Sequence, residues 1–386
     1  RSRGLGDVYK RQVDFQCNIP LYDYQEKAKD ALVESGRGIL QSAAGSGKTQ
    51  IGIALACEIG EKTLWLTHTR DLLLQSKSRA EQYMSSALTG TITEGRVQIG
   101  KGITFATVQT MCNLDLNRYR DTWGCVIVDE CHRVAGTPTA VTQFSKVLSS
   151  LAARHKYGLS ATVHRADGMI AATYALLGKI AYQVPDEAVA DKIMTVSVLP
   201  RPTQIGLSKE FLDTDGTIIY AKLINYLAED FRRNGQIVGD LMLNAEHYNL
   251  VLSDRLAHLE YLMAHLPKHL RDQAVMVDGK MTSKKGKAKR EQAIEDMRAG
   301  KKHYLFATYA LAKEGLDIPR LDRLYLTTPQ KDYAIITQSV GRIARTFEGK
   351  GEPIAYDYVD NGIQYLVRSY KKRCTSYRKC GCKILE

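Results

Sequence analysis

The segment Ser42-Ala-Ala-Gly-Ser-Gly-Lys48-Thr49 lies between two apolar runs, and its residue types suit a loop that holds phosphate. Gly45 and Gly47 let the backbone turn so that successive N–H groups, from Ala44 through Ser46, point at phosphate oxygens. Lys48 adds a point charge near the β- and γ-phosphates, and the Thr49 hydroxyl can ligate Mg²⁺. Gln50 to Ile59 has helical spacing, so a helix N-terminus would face the anion. The motif is usually written G-x-x-x-x-G-K-[ST]; here Ser42 takes the first position. Alone, the segment also reads as an ordinary strand–turn–helix connection.

A second apolar run, Cys125-Val-Ile-Val128, ends in Asp129-Glu130-Cys131-His132. As a buried parallel strand it would deliver its carboxylates at the C-terminal edge, where α/β sheets bind ligands. Asp129 would hold Mg²⁺ through its water shell, and Glu130 would orient the attacking water. Phosphoryl transfer asks for such positioning more than for covalent chemistry. The bland alternative is a surface Asp-Glu pair at a strand end.

With both halves present, the chain resembles superfamily 2 helicases of the Asp-Glu-x-His type with a ResIII-like N-terminal domain. The resemblance covers roughly residues 20 to 370, with the motifs in the family's order. It implies that Gln25, in Leu21-Tyr-Asp-Tyr-Gln25, reads adenine. Thr67-His-Thr69-Arg70-Asp71 and Ala106-Thr107-Val-Gln109-Thr110 resemble strand-end motifs that grip nucleic-acid phosphates. Ser160-Ala-Thr162 resembles the motif coupling ATP state to domain closure; Val163 stands where the family usually has Pro. Ala307-Thr308 and Glu314-Gly315-Leu-Asp317 resemble the motif sensing nucleotide and nucleic acid. Gln338-Ser-Val-Gly341-Arg342-Ile-Ala-Arg345 resembles the motif whose arginines reach the ATP phosphates across an interdomain cleft. Charge on the γ-phosphoryl oxygens needs a cation, and Arg offers a planar fork of donors. Such a finger contributes about 10³–10⁵ in rate. The alternative for Arg342 and Arg345, three residues apart, is a solvated helix face.

The elements that must position these residues follow from apolar runs. Gly38-Ile-Leu40, Thr63 to Leu66, Ile103 to Phe105, Cys125 to Val128 and Tyr157 to Leu159 alternate with helical segments, the pattern of a parallel sheet. The pattern restarts at Leu250 to Leu252 and continues through Ala274 to Val277, Tyr304 to Phe306, Leu324 to Leu326 and Pro353 to Tyr356. The expected fold is α/β, two tandem RecA-like domains, each a mostly parallel sheet flanked by helices, with ATP between them. The expected boundaries are 13–200 for the ATP-binding domain, 201–248 for a helical lead-in or accessory segment, with helices simply packed on the second domain the favoured reading, 249–370 for the second domain and 371–386 for a basic tail. The join is placed near Val198 to Pro202.

Bulk composition agrees. Lys and Arg number 54 against 42 Asp and Glu, so the net charge is +12 and nucleic acid is a natural partner. No stretch of about 18 apolar residues marks a membrane span, and an ATP-driven motor is expected in the cytoplasm of a bacterial or phage-infected cell. The eight cysteines are scattered, and reduced thiols are expected. Met281 to Arg290 holds five cations and no acid, with Thr282 or Ser283 able to cap the helix that follows. It suits a DNA backbone or a solvated helix start equally. The tail from Arg368 to Lys383 mixes cations with Tyr370 and Tyr377, which suits nucleic acid or a frayed end. Its Cys374, Cys380 and Cys382 have poor zinc spacing and lack a fourth ligand, so a truncated C-terminal zinc module, which the resemblance allows, is the less favoured reading. Residues 1–12 lack an initiator Met and read as a sequencing-adapter translation, so they are set aside.

These readings converge on an ATP- and Mg²⁺-dependent nucleic-acid motor, with DNA favoured over RNA and a repair, recombination or phage-replication setting. A translocase that does not separate strands and a binding module with a crippled ATPase are the alternatives.

Overall fold

The computed structural model describes residues 13, 17–43, 45–135, 138–161, 170–189, 193–279, 281, 283–313 and 316–385. Residues 1–12, Ala44, Thr162 to Gly168, Thr282, Glu314 and Gly315 lie outside them.

Two compact units divide the chain, residues 1–189 and 190–386. In the first, the order is α1 (Asp23–Ser35), β1 (Arg37–Gln41), α2 (Lys48–Ile59), β2 (Thr63–Thr67), α3 (Arg70–Ala80), β3 (Thr89–Thr93), β4 (Arg96–Gln98), β5 (Ile103–Thr107), α4 (Val108–Cys112), β6 (Cys125–Asp129), α5 (Pro138–Ser150), β7 (His155–Ser160), α6 (Ile170–Leu177) and β8 (Ile180–Gln183). The sheet order is β4-β3-β5-β2-β6-β7-β1-β8, and only β3 and β4 pair antiparallel. β2, β5 and β6 are buried at every residue. Their Val, Ile, Leu and Phe therefore show no polar alternation, as a sheet covered on both faces requires. Helix α2 lies so close that a Cβ on Gly52 would stand 2.7 Å from Leu159 and from Trp65.

The second unit runs β9 (Ser197–Gly206), α7 (Tyr220–Glu229), α8 (Phe231–Leu243), β10 (Asn249–Ser253), α9 (Leu256–Ala264), α10 (Lys268–Arg271), β11 (Ala274–Val277), α11 (Lys284–Arg298), β12 (Tyr304–Thr308), α12 (Tyr309–Lys313), β13 (Arg323–Leu326), α13 (Tyr333–Ile343), β14 (Ile354–Gly362), α14 (Gln364–Lys379) and β15 (Lys383–Ile384). Its all-parallel sheet has the order β11-β12-β10-β13-β14-β9-β15. One core covers one face with Leu250, Leu252, Leu305 and Leu324; another packs the opposite face with Val251, Phe306, Tyr325 and Tyr358.

The join, the tail and the state of the cysteines differ from expectation, whereas 201–248 packs as helices on the second unit. The stretch Val198 to Pro202 is no join but the body of β9, paired along β14. The prolines fit because Val196 and Val198 turn their carbonyls to Lys383 and Leu385 of the neighbouring chain segment. By the two-residue period of a strand, Pro200 and Pro202 face the same side, past the end of β15, where no N–H is needed. The stretch 201–248 is welded to the second unit. Arg201 makes a bidentate pair with Asp240 at 2.9 and 2.7 Å, and the fully buried Arg233 meets Asp360 at 2.8 Å. α7 and α14 share a smaller apolar cluster around Phe211, Leu223, Leu227 and Leu366. The tail is an ordered helix, α14, followed by β15, with Arg373 and Tyr377 buried. Among the cysteines, Cys17 and Cys57 form a disulfide, against the expectation of reduced thiols throughout. The segment before α1 runs beside α2 and brings the two Cα atoms to 6.6 Å, within bridging reach.

Candidate nucleotide site

Parallel pairing brings the motif residues of the first unit to one sheet edge. Thr67 is level with Thr107, Leu66 with Val128, Asp129 with Leu159, and Gln41 with Ser160. The loop after β1 leaves from this edge. Gly45 and Gly47 have φ of 87° and 80°, left-handed values that favour glycine. A Cβ on Gly47 would come within 2.4 Å of Gln25 Nε2. Ser42, in the position usually held by Gly or Ala, is buried and donates its hydroxyl to Ser46 Oγ at 2.6 Å. The Lys48 ammonium rests on the carbonyls of Ser42 and Ala43 at 3.2 and 3.1 Å. Helix α2 begins at Lys48, so Thr49 stands in its first turn.

Gln25 is buried, with both ends of its amide engaged. Its Oε1 accepts from Tyr22 N at 3.0 Å, and its Nε2 donates to Ser46 O at 2.9 Å. The neighbouring Tyr24 hydroxyl donates to the same carbonyl at 2.8 Å. The expected adenine reader is therefore placed as a tether between α1 and the phosphate loop.

Asp129 ends β6 in a buried setting. Its Oδ1 accepts from Glu130 N at 3.0 Å and its Oδ2 from Ser76 Oγ at 3.4 Å. Burial first, then the Glu130 charge, push its carboxyl up to about 7, while Lys48 pulls it down. Glu130 has φ of 49°, uncommon for a residue with a side chain and a form of strain found at functional sites. His132 Nδ1 lies 3.2 Å from Glu130 Oε2 and 3.0 Å from Ser160 Oγ. One imidazole thus joins the ends of β6 and β7. Cys131, between them, is a core residue whose thiol burial pushes well up, out of reach of thiolate chemistry. The oxygen donors Thr49 and Asp129 fit Mg²⁺, a hard cation.

The expected phosphate-gripping threonines serve locally as helix caps. Thr69 Oγ1 accepts from Leu72 N at 3.4 Å, and Thr107 Oγ1 from Thr110 N at 3.3 Å. Arg70 pairs with Glu94 at 3.3 Å, and Gln109 is exposed at the start of α4.

In the second unit, Thr308 is level with Ser253 at the sheet edge. Gln338 and Arg342 stand on α13, with Arg345 just beyond it. Arg342 donates to the carbonyls of Ala312 and Leu316 at 3.0 and 3.1 Å, and Arg345 pairs with Asp317. The expected fingers and the expected sensor segment are in direct contact, and neither arginine is a solvated helix face.

Several residues of this machinery carry no local sequence signal. Ser76 is one polar residue in an amphipathic helix. Tyr24 reads as core. Lys350 donates to the carbonyls of Pro319, Ile343 and Arg345 at 3.1, 2.7 and 2.7 Å, clamping the end of α13 to the segment before β13. All three act through contacts distant in sequence.

Comparison with known proteins agrees with this arrangement. Residues 18–165 match the family described as type III restriction enzyme, res subunit, and residues 235–347 match the helicase conserved C-terminal domain. L396 of Acanthamoeba polyphaga mimivirus, provisionally named an ATP-dependent RNA helicase, is 27% identical over 374 residues, spanning 93% of this chain and 68% of its own. The DNA 3'-5' helicase XPB of Mycobacterium tuberculosis is 28% identical over 176 residues, 43% of this chain and 30% of its own. In fold, the chain matches Saccharomyces cerevisiae Dbp5 bound to RNA and ADP BeF3 with a TM-score of 0.64 at 17% identity, over 94% of this chain and 89% of that one. The chain belongs to the superfamily 2 helicases, with a ResIII-type N-terminal domain followed by a helicase C-terminal domain, and is an ATP-dependent helicase or translocase.

Proposed function

We propose that this motor runs on DNA and that Lys48, Thr49, Asp129 and Glu130 form the hydrolytic half of its ATP site. The carrying observation is their convergence on one sheet edge, where the Lys48 charge acts on the buried Asp129. Lys48 binds the β- and γ-phosphates, and the loop backbone from Ala44 to Gly47 cradles them. Thr49 and Asp129 hold Mg²⁺, which supplies charge neutralisation on the phosphates. Glu130 orients the attacking water, its carboxylate steered by His132. Arg342 and Arg345 neutralise charge on the γ-phosphoryl oxygens, with Gln338 and Asp317 beside them; Gly315, assigned to the nucleotide by the same motif, lies outside the described residues. Gln25 sets the loop's conformation as well as meeting the adenine. Thr69, Arg70, Thr107, Gln109 and Thr308 lie along the nucleic-acid track, and Ser160 and Thr162 pass the ATP state to it. Residues from both domains are needed, so closure follows nucleotide contacts and release follows hydrolysis. An ATP-driven motor is placed where ATP is, in the cytoplasm.

DNA is favoured by the relative named a DNA helicase, whereas the mimivirus relative's name points to RNA. The deciding experiment measures ATP turnover with single-stranded, duplex and forked DNA and with RNA. Hydrolysis stimulated by DNA is expected, and Lys48→Ala is expected to reduce it to background. Stimulation by RNA alone would sink the DNA assignment. Strand displacement on forks then separates unwinding from translocation alone.

A further inference from the structure

Helix α14 has two chemically opposite faces. Its inner face buries Leu366, Ser369, Arg373, Ser376 and Tyr377. There Arg373 makes a bidentate pair with Asp357 at 2.8 and 2.9 Å, and the Tyr377 hydroxyl donates to the same carboxylate at 2.8 Å. Two of the tail's expected nucleic-acid contacts, Arg373 and Tyr377, are therefore structural. Its outer face exposes Arg368, Lys371, Lys372, Arg378 and Lys379, with no acid among them. Steps of three, four and seven residues place these cations on one side of a helix. From Arg368 to Lys379 the row is about 16 Å long at the usual helical rise. Among the described residues, no carboxylate pairs with any of the five; Lys379 Nζ lies 5.8 Å from the centroid of the Tyr333 ring.

We propose that the outer face of α14 binds the phosphate backbone of double-stranded DNA, as a contact separate from the strand-end motifs. This rests on the reading of the chain as a DNA motor. Three observations select the partner. A row of cations on a helix fixed by a buried ion pair is preorganised for a regular array of phosphates, which B-DNA presents at about 3.4 Å of axis per strand. Single strands are instead gripped by exposed aromatic platforms, and this face has none: Tyr370 is half-buried and Tyr377 fully so. An anionic membrane would engage an amphipathic helix through its apolar face, and that face is already packed against the second sheet.

The test is duplex binding across a salt series, followed by fluorescence anisotropy on a blunt-ended DNA duplex. The variant is Arg368→Gln/Lys371→Gln/Lys372→Gln/Lys379→Gln. Each lost phosphate contact removes about 0.9 from the slope of log affinity against log salt. A slope shallower by about 3.6 is expected, with weaker binding at low salt and unchanged ATP turnover without DNA. Lys371→Gln/Lys372→Gln, with a loss of about 2 in slope, carries the test if the fourfold variant melts early. A duplex slope equal to wild type overturns the proposal. So does an equal loss on an unstructured single strand, or a loss seen only on phosphatidylserine vesicles. If wild type shows DNA-stimulated turnover while the variant's slope is unchanged, only the α14 contact fails; if wild type shows neither, the motor reading fails with it.

Discussion

At the scale of single residues, the His132 imidazole stands between the Glu130 carboxylate and the neighbouring strand. Its Nδ1 is hydrogen-bonded to Ser160 Oγ at 3.0 Å and lies 3.2 Å from Glu130 Oε2. His132→Ala and Ser160→Ala should therefore each lower DNA-stimulated turnover and together cost less than the sum of the two. A double-mutant cycle on kcat checks this, with a coupling of about 0.5–3 kcal/mol expected; strict additivity would show that the residues act independently. A second imidazole, His258, works by staying neutral. Asn234 donates its amide to Ala228 O, so its Oδ1 must accept from His258 Nε2 at 2.8 Å. Nδ1 is then the acceptor facing Ser253 Oγ at 3.1 Å. Burial first, and the Arg233 charge second, push this imidazole down to about 3. The folded chain therefore holds His258 neutral where the unfolded chain has begun to bind a proton. Its stabilising effect is full above about 6.5 and is lost as pH falls towards 3. Chemical denaturation at several pH values should show His258→Gln with a flatter pH dependence in that window, by up to about 1.4 kcal/mol per pH unit. Parallel curves would remove His258 from the acid response.

At the scale of elements, α14 is held by one buried carboxylate serving two donors. Removing one member of a buried pair strands the other charge, at a cost of about 3–5 kcal/mol. Arg373→Met should lower the unfolding free energy from chemical denaturation by that order, while Arg368→Gln on the opposite face should barely move it. Equal effects would mean that the Asp357 contact does not anchor the helix. The same element shows what sequence could reveal. β6 was legible because five consecutive residues are buried at a motif strand, so pattern and chemistry coincide. The phosphate loop was legible because Gly45 and Gly47 need left-handed backbone and Lys48 follows at fixed spacing. α14 read as a tail because its anchor, Asp357, lies on another strand and its own sequence is crowded with cations. β9 was missed because two prolines look like a linker until the edge they face is known. Ser42, the departure in the loop, is met by Ser46 four residues on, a pairing visible only in three dimensions.

At the scale of the whole molecule, the residues proposed for the chemistry divide between two sheets with separate cores. Lys48, Asp129 and Glu130 belong to one unit, and Arg342 and Arg345 to the other. A fragment of residues 193–386 has its own two-faced core and should unfold cooperatively by itself, yet hydrolyse no ATP. Circular dichroism melting and a turnover assay check both halves of that statement; a fragment without a melting transition would show that the second core depends on the first unit. The limit of that second sheet has a consequence for how copies of the chain behave in company. β15 covers only the first residues of β9, and beyond it the sheet stops. An uncapped strand invites a neighbouring molecule to extend the ladder. Pro200 and Pro202 turn ring carbons, not N–H groups, to that side, and the Pro202 carbonyl already accepts from Gln236 Nε2 at 3.2 Å, so an arriving strand finds few groups to pair with. Exchanging both prolines for threonine would leave the pairing with β14 in place while restoring two donors to the margin. The features that disguised β9 as a linker thus discourage filament growth from this edge.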